Sequence, residues 1–219
     1  MRRMMFADRE EAGRLLADRL AQMSLPDPLV LALPRGGVPV GAQIAQRLGA
    51  PLDVVLVRKI GAPHEPELAI GAVVDGDEAQ IVLNHRLVEA LAVPQEFIAS
   101  AAARELAVIE RRRQQYAGMR PEVDPSGRTA IVVDDGVATG MTMQAALRSL
   151  KHRGSARLVA ALPVASRDAL AMLRREANEV VCLSSPRRFG SVGSFYRSFG
   201  QVSDEDVAHL LEGLAMQSP

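Results

Sequence analysis

The chain has no excess of either charge: Lys and Arg total 26, Asp and Glu total 26, and the formal net charge of its 219 residues is zero. No global field therefore draws it to nucleic acid or to anionic lipid. It has one cysteine, Cys182, which excludes an internal disulfide. That thiol sits in the apolar run VVCL, where a buried and inert state is expected. No apolar run approaches the length that crosses a bilayer. The start, MRRMMFADREE, meets acids before any apolar stretch develops, which is not the pattern of a secretory leader. A soluble, cytoplasmic protein with no nucleic-acid or membrane partner is expected. Aromatic residues make up only 3% of the chain and tryptophan is missing. Phe195, Tyr196 and Phe199 are therefore conspicuous as a cluster, either as a stacking platform or as packing for the last helix.

What is present is apolar and periodic. With 48% hydrophobic residues, the chain can bury one full core in a single domain, residues 1–219. Asp8 with Glu11 reads as a capping box for a helix whose Ala12, Leu15, Leu16, Leu20 and Met23 share one face. Short buried runs follow at 29–34 and 53–59, with a helix between them that Gly49 stops. Strands alternating with helices are the pattern of a parallel sheet. Residues 67–84 differ, because two β-rich runs flank Asp75-Gly76-Asp77, a hairpin signal. Asn84 then caps a short helix, and Pro94 opens a long one ending at Gly118. Arg111, Arg112 and Arg113 are read as a solvated cluster in its last turns, compatible with the helix dipole. Strands at 157–163 and 179–184 flank a helix over 166–177, and Ser203 with Asp206 caps the last helix.

The decisive stretch is 129–142, TAIVVDDGVATGMT. An apolar strand runs into Asp134 and Asp135, then a Gly/Thr turn, then a helix. The turn has no lysine and its acids precede it, which excludes a Walker loop. A dinucleotide fingerprint needs G-x-G-x-x-G and an acid about 20 residues downstream, and neither is there. What remains is a turn over Gly136, Val137, Ala138, Thr139, Gly140, Met141 and Thr142. Its backbone N–H groups and threonine hydroxyls can cradle a phosphate at a helix N-terminus. The adjacent acids would face sugar hydroxyls or a metal bridging them. A second candidate is Pro34-Arg35-Gly36-Gly37, directly after the first strand. There Arg35 offers a fork of donors to an anion, and the glycines let backbone come close. Arg58-Lys59 would end the second strand at the same carboxyl edge.

The 129–142 segment resembles the phosphoribosyl-pyrophosphate (PRPP) signature of the type I phosphoribosyltransferases, and the resemblance extends to PRGG, LVRKIGAP and the FYRSFGQVSDEDV tail. Bacterial phosphoribosyltransferase-domain proteins, which as a group have no settled acceptor, are similar along the whole length. The resemblance implies an α/β fold with a central, mostly parallel sheet flanked by helices, a hairpin and long-helix insertion, and a small hood from about 1–25 and 186–219. It implies a homodimer using PRPP, Mg²⁺ and an unidentified small acceptor. It also implies that the loop at Arg35, Gly36 and Gly37 holds pyrophosphate, often through a cis peptide, with Lys59 and then Arg58 assisting. Asp134 and Asp135 would take the ribose hydroxyls, directly or through Mg²⁺, and 136–142 the 5-phosphate. Residues 60–67, with His64 in a solvent-facing position, resemble the family's mobile loop. Hypoxanthine-guanine enzymes carry an aspartate where this chain has Ala138, which counts against a 6-oxopurine. The implied activity is Mg²⁺-dependent transfer of ribose 5-phosphate from PRPP to a nitrogenous base or other small nucleophile. The alternatives are a non-catalytic PRPP or nucleotide sensor and, more weakly, a hydrolase or phosphorylase in the same crevice.

Overall fold

The computed structural model describes residues 5–76, 80–117 and 122–215. In chain order its elements are α1 (Arg9–Leu20), β1 (Pro28–Ala32), α2 (Gly37–Leu48), β2 (Leu52–Val54), β3 (Val57–Ala62), β4 (Glu65–Val74), β5 (Gln80–Leu83), α3 (His85–Ala90), α4 (Gln95–Ala117), β6 (Thr129–Val133), α5 (Met141–His152), β7 (Arg157–Val164), α6 (Arg167–Leu173), β8 (Glu179–Ser184), a 3₁₀ turn over Val192–Phe195, and α7 (Asp204–Ala215). Five strands form a parallel sheet in the order β2-β1-β6-β7-β8. Its strands are apolar at consecutive positions because both faces are covered, which is why no alternation marks them in the sequence. Val30, Ala32, Ile131 and Val133 point to the side holding α1 and α2. Leu29, Leu31, Ala130 and Val132 point to the side holding α5 and α6.

Helix ends follow local chemistry. The Asp8 carboxylate accepts the Glu11 N–H at 2.8 Å, and the Glu11 carboxylate reaches back to the Ala7 N–H rather than to that of Asp8. Gly49 closes α2 in the left-handed conformation, φ 61°, where glycine carries no Cβ penalty. Ser203 and Asp206 satisfy each other's N–H groups at 3.0 and 2.8 Å, the reciprocal pairing of a capping box. On α1 the buried stripe is Ala12, Leu16, Ala17 and Leu20, while Leu15 is 39% exposed.

Three expectations are corrected. Residues 53–59 are not one strand: β2 ends at Val54, and after Val55 and Leu56 the chain enters β3 of a separate antiparallel sheet, β3-β4-β5. Asp75 fixes this changeover. Its carboxylate accepts the Leu56 N–H at 2.9 Å and its own N–H donates to the Leu56 carbonyl at 3.0 Å. Residues 60–67, expected as a loop, are the end of β3, a tight turn at Pro63-His64 and the start of β4. The hairpin read over 67–84 is the β4–β5 pair, with Val74 opposite Gln80; Asp77 lies outside the described residues, as does Gly118. Arg113 is not in a solvated last turn, because it pairs with the buried Asp75 and, at 3.6 Å, with Glu122. No helix among the described residues is long and apolar enough to cross a membrane.

Candidate active site

β1 lies between β2 and β6, so the connection leaving β1 turns to one side of the sheet and β6 occupies the other. The reversal opens a crevice at the carboxyl ends of β1 and β6, where Ala32 is in register with Val133. Both singled-out loops start there. After β1 the Leu33 N–H bonds the Val133 carbonyl at 2.8 Å, the Pro34–Arg35 peptide is cis, and the Gly37 N–H returns to the Leu33 carbonyl at 3.0 Å. The glycines are needed for contact between the loops. A Cβ on Gly37 would stand 2.6 Å from the Val133 carbonyl oxygen, and one on Gly36 would stand 2.0 Å from Asp135 Oδ2. The Arg35 carbonyl accepts the Val38 N–H at 3.2 Å, and the Arg35 guanidinium has no hydrogen bond or ion pair with another described side chain.

Asp134 and Asp135 stand directly after β6. Asp134 Oδ1 accepts the Asp135 N–H at 2.8 Å, and Asp135 Oδ2 accepts Arg9 Nε at 2.7 Å. Burial raises both carboxyls above the usual carboxylate range. The charge of Asp135 raises Asp134 further, and Arg9 opposes the rise at both. The pair is therefore short of positive charge, and hydroxyl donors or a divalent cation would relieve it. Two adjacent carboxylates are hard oxygen donors that fit Mg²⁺, which takes one or two carboxylates and completes its shell from substrate oxygens and water. No cluster of three or more His, Cys, Asp or Glu side chains that could cage a metal occurs among the described residues.

The turn after the acids is tied to the neighbouring strand. The Val137 N–H bonds the Val164 carbonyl at 2.9 Å, the Val137 carbonyl accepts the Ser166 N–H at 2.9 Å, and Ser166 Oγ donates to the Ala138 carbonyl at 2.6 Å. Gly140 is left-handed, φ 83°, and α5 starts at Met141. The first N–H groups of that helix have no intrahelical acceptor, and Ala138, Thr139 and Thr142 are exposed beside them. Gly136 and Val137 are buried and shape the turn; a Cβ on Gly136 would meet Val192 at 2.6 Å.

The structure thus gathers Arg35, Gly36, Gly37, Asp134, Asp135 and the 136–142 turn. Arg58 and Lys59 do not end a strand of the parallel sheet, since both lie in β3 of the antiparallel sheet. Arg58 Nε bonds Glu105 on α4 at 2.8 Å, while Lys59 is exposed and in register with Ala72. His64 is exposed in the β3–β4 turn.

One participant was missed from the sequence, and it joins the acid pair to the aromatic cluster that the sequence singled out. Arg9, besides its bond to Asp135, donates to the Gly200 carbonyl at 2.8 Å and lies 3.8 Å from the centre of the Phe199 ring. Phe199 stacks on Tyr196 at 5.0 Å, and the Tyr196 hydroxyl donates to the Asp135 carbonyl at 2.5 Å. Burial raises the phenol above its ordinary range, as does the Asp135 charge. The aromatic cluster therefore has two roles. Phe195 and Tyr196 are buried with Phe6, whereas Phe199 is 38% exposed and carries the guanidinium. No local pattern linked Arg9 to an acid 126 residues away.

A family model described as the phosphoribosyl transferase domain matches residues 7–195. "Putative phosphoribosyl transferase Rv0571c" of Mycobacterium tuberculosis (strain ATCC 25618 / H37Rv) is 42% identical over 208 residues, covering 95% of this chain and 46% of its own length. The chain thus spans about half the length of the curated relatives it matches. The crystal structure of TT1426 from Thermus thermophilus superposes with a TM-score of 0.86 at 47% identity, covering 96% of this chain and 99% of that one. A hypothetical protein from Neisseria gonorrhoeae with bound ppGpp shares the fold at 13% identity and a TM-score of 0.52, covering 97% and 98%. The chain belongs to the phosphoribosyl transferase domain family and has the type I phosphoribosyltransferase fold.

Proposed function

We propose that this member of the phosphoribosyl transferase family moves the 5-phosphoribosyl group of PRPP to a nitrogenous base or other small nucleophile. In that reaction the bond from C1 to pyrophosphate breaks, a bond from C1 to the acceptor forms, the acceptor loses a proton, and pyrophosphate leaves. The observation that carries the reading is the meeting of two loops at the sheet's switch point, where Gly36 packs against the Asp135 carboxylate. A phosphate in the 136–142 turn and a pyrophosphate at Arg35 and Gly36 would then hold the two ends of one ligand, with the acids beneath its ribose. Positioning and charge stabilisation would do most of the catalytic work, since the transition state resembles an oxocarbenium ion. When bound, Mg²⁺ would supply positive charge to the pyrophosphate oxygens, and Asp134 and Asp135 are the residues suited to hold it. Lys59, exposed on β3, is kept in this proposal as an assisting cation on the strength of the family resemblance alone. For the acceptor we favour the cavity of about 500 Å³ beside Arg9, lined by Pro39, Gln43, Gln201, Asp206 and His209, a volume suited to a small molecule.

The test is a panel of bases and amines with PRPP and Mg²⁺, reading pyrophosphate release, beside Asp134→Asn and Asp135→Asn. Acceptor-dependent release that both substitutions abolish supports transfer. Release without any acceptor points to hydrolysis, and PRPP or nucleotide binding without turnover points to a sensor. A cytoplasmic homodimer accompanies this proposal; light scattering of the purified chain tests the dimer.

A further inference from the structure

Arg9 is held on three sides at once. Its side chain is 12% exposed and that of its partner Asp135 is 13% exposed. Nε binds Asp135 Oδ2, Nη1 binds the Gly200 carbonyl, and the guanidinium face lies over Phe199. Two of those three contacts do not involve the acid, so the guanidinium is seated by the terminal segments themselves. On the acid side, Asp135 Oδ2 is confined between Arg9 and Gly36, and Asp134 Oδ1 is occupied by the Asp135 N–H. Asp134 Oδ2 and Asp135 Oδ1 are the oxygens not engaged by these side-chain bonds, and Oδ1 lies 3.1 Å from where a Gly36 Cβ would stand. A fixed guanidinium beside two carboxylates brings their summed charge from −2 to −1 without an added ion.

We propose that Arg9 is the resident counter-cation of the acid pair, a positioning residue that anchors Asp135 and offsets part of the pair's charge. This rests on the reading of Asp134 and Asp135 as the ribose and Mg²⁺ residues. With Arg9 in place the pair attracts a free divalent cation weakly, and a cation arrives together with the pyrophosphate that supplies its remaining oxygens. Removing the guanidinium charge leaves the two carboxylates, whose charges act on each other, without that neutralisation. A unit charge hydrogen-bonded to the pair changes the affinity of a partly buried cation site on the order of tenfold.

The experiment titrates Mn²⁺, as the paramagnetic stand-in for Mg²⁺, into the protein without PRPP and counts free metal by electron paramagnetic resonance. Arg9→Gln is expected to bind Mn²⁺ about tenfold more tightly than the wild type, and Arg9→Lys, which keeps the charge, within about threefold of it. Should Arg9→Gln not fold, Asp135→Asn is compared with the double variant Asp135→Asn/Arg9→Gln, in which a neutral amide pair replaces the ion pair. The double variant is expected to bind about tenfold more tightly than Asp135→Asn alone. A merely structural role for Arg9 predicts no tightening. If Arg9→Gln and the double variant bind Mn²⁺ no better than their parents, or if Arg9→Lys behaves as Arg9→Gln does, the inference is overturned. Because the readout needs neither PRPP nor turnover, failure of the transferase reading in the acceptor panel is distinguishable from failure here.

Discussion

Gly36→Ala is the most direct perturbation of the crevice. The added Cβ would stand 2.0 Å from Asp135 Oδ2 and 2.5 Å from Cγ, more than 1 Å inside ordinary contact for such atoms. Gly36 itself is in the right-handed region, φ −63°, so alanine meets no backbone objection and the clash alone decides the outcome. The carboxylate must rotate or the loop must lift. Rotation breaks the 2.7 Å bond to Arg9, and lifting separates the 34–37 loop from the end of β6. Overpacking of this kind costs about 1–3 kcal/mol of stability. A displacement on the order of 1 Å between reacting groups costs about 100-fold in rate, near 3 kcal/mol. The assays are urea denaturation and pyrophosphate release with varied PRPP. The control is Gly213→Ala on α7, where a Cβ meets nothing within 4 Å and alanine stabilises a helix by roughly 1 kcal/mol at most. A Gly36→Ala protein with wild-type stability and wild-type kcat/KM would refute the claim that the two loops meet through this glycine.

Tyr196→Phe removes the donor to the Asp135 carbonyl and is expected to cost about 1–2 kcal/mol in urea denaturation; no loss would mean the bond is not formed in solution. Arg58→Ala, which breaks a half-exposed pair with Glu105, should cost under about 1 kcal/mol and leave the KM for PRPP nearly unchanged. A large rise in KM would return Arg58 to the site. Burial pushes the Asp75 carboxyl up to about 6, with Arg113 opposing. The unfolded chain releases that proton near pH 4, so between about pH 4 and 6 the folded state binds more protons and stability contributed by Asp75 falls as pH rises. Asp75→Asn should flatten that part of the stability profile relative to wild type, and identical profiles would sink the assignment.

How much was legible in the chain differs from segment to segment. Residues 129–142 gave strand, acids and turn correctly because each step there is written in local chemistry: a buried parallel strand, then polar groups at its end, then a glycine that permits the left-handed entry to α5. Caps at Asp8, Asn84 and Ser203 were readable for the same reason, since a capping side chain acts within three residues. Residues 53–59 misled because Val54 to Val57 is a continuous apolar run and no residue in it forbids extension. The change of sheet is imposed by Asp75, from the far end of β4. Arg113 misled similarly, being taken for surface charge although its partner sits on another element. Leu15 fits the helical period yet faces out because α2 and the sheet cover a narrower stripe of α1 than the periodicity allows.

The stitching of residues 6–9 to 195–200 has a consequence for synthesis on the ribosome. Phe6 pairs with Phe195 and Arg197 through backbone bonds of 2.8 Å, and both tethers on Asp135, Arg9 and Tyr196, belong to these strips. A nascent polypeptide that has just released its second aspartate from the exit tunnel must extend by a further 61 residues before the tyrosine emerges. The pocket is therefore completed only after both of the strands that frame it, β1 and β6, have been made. C-terminal deletions reaching back past Tyr196 would yield a chain that retains both aspartates and the glycine turn but loses the partners that hold them.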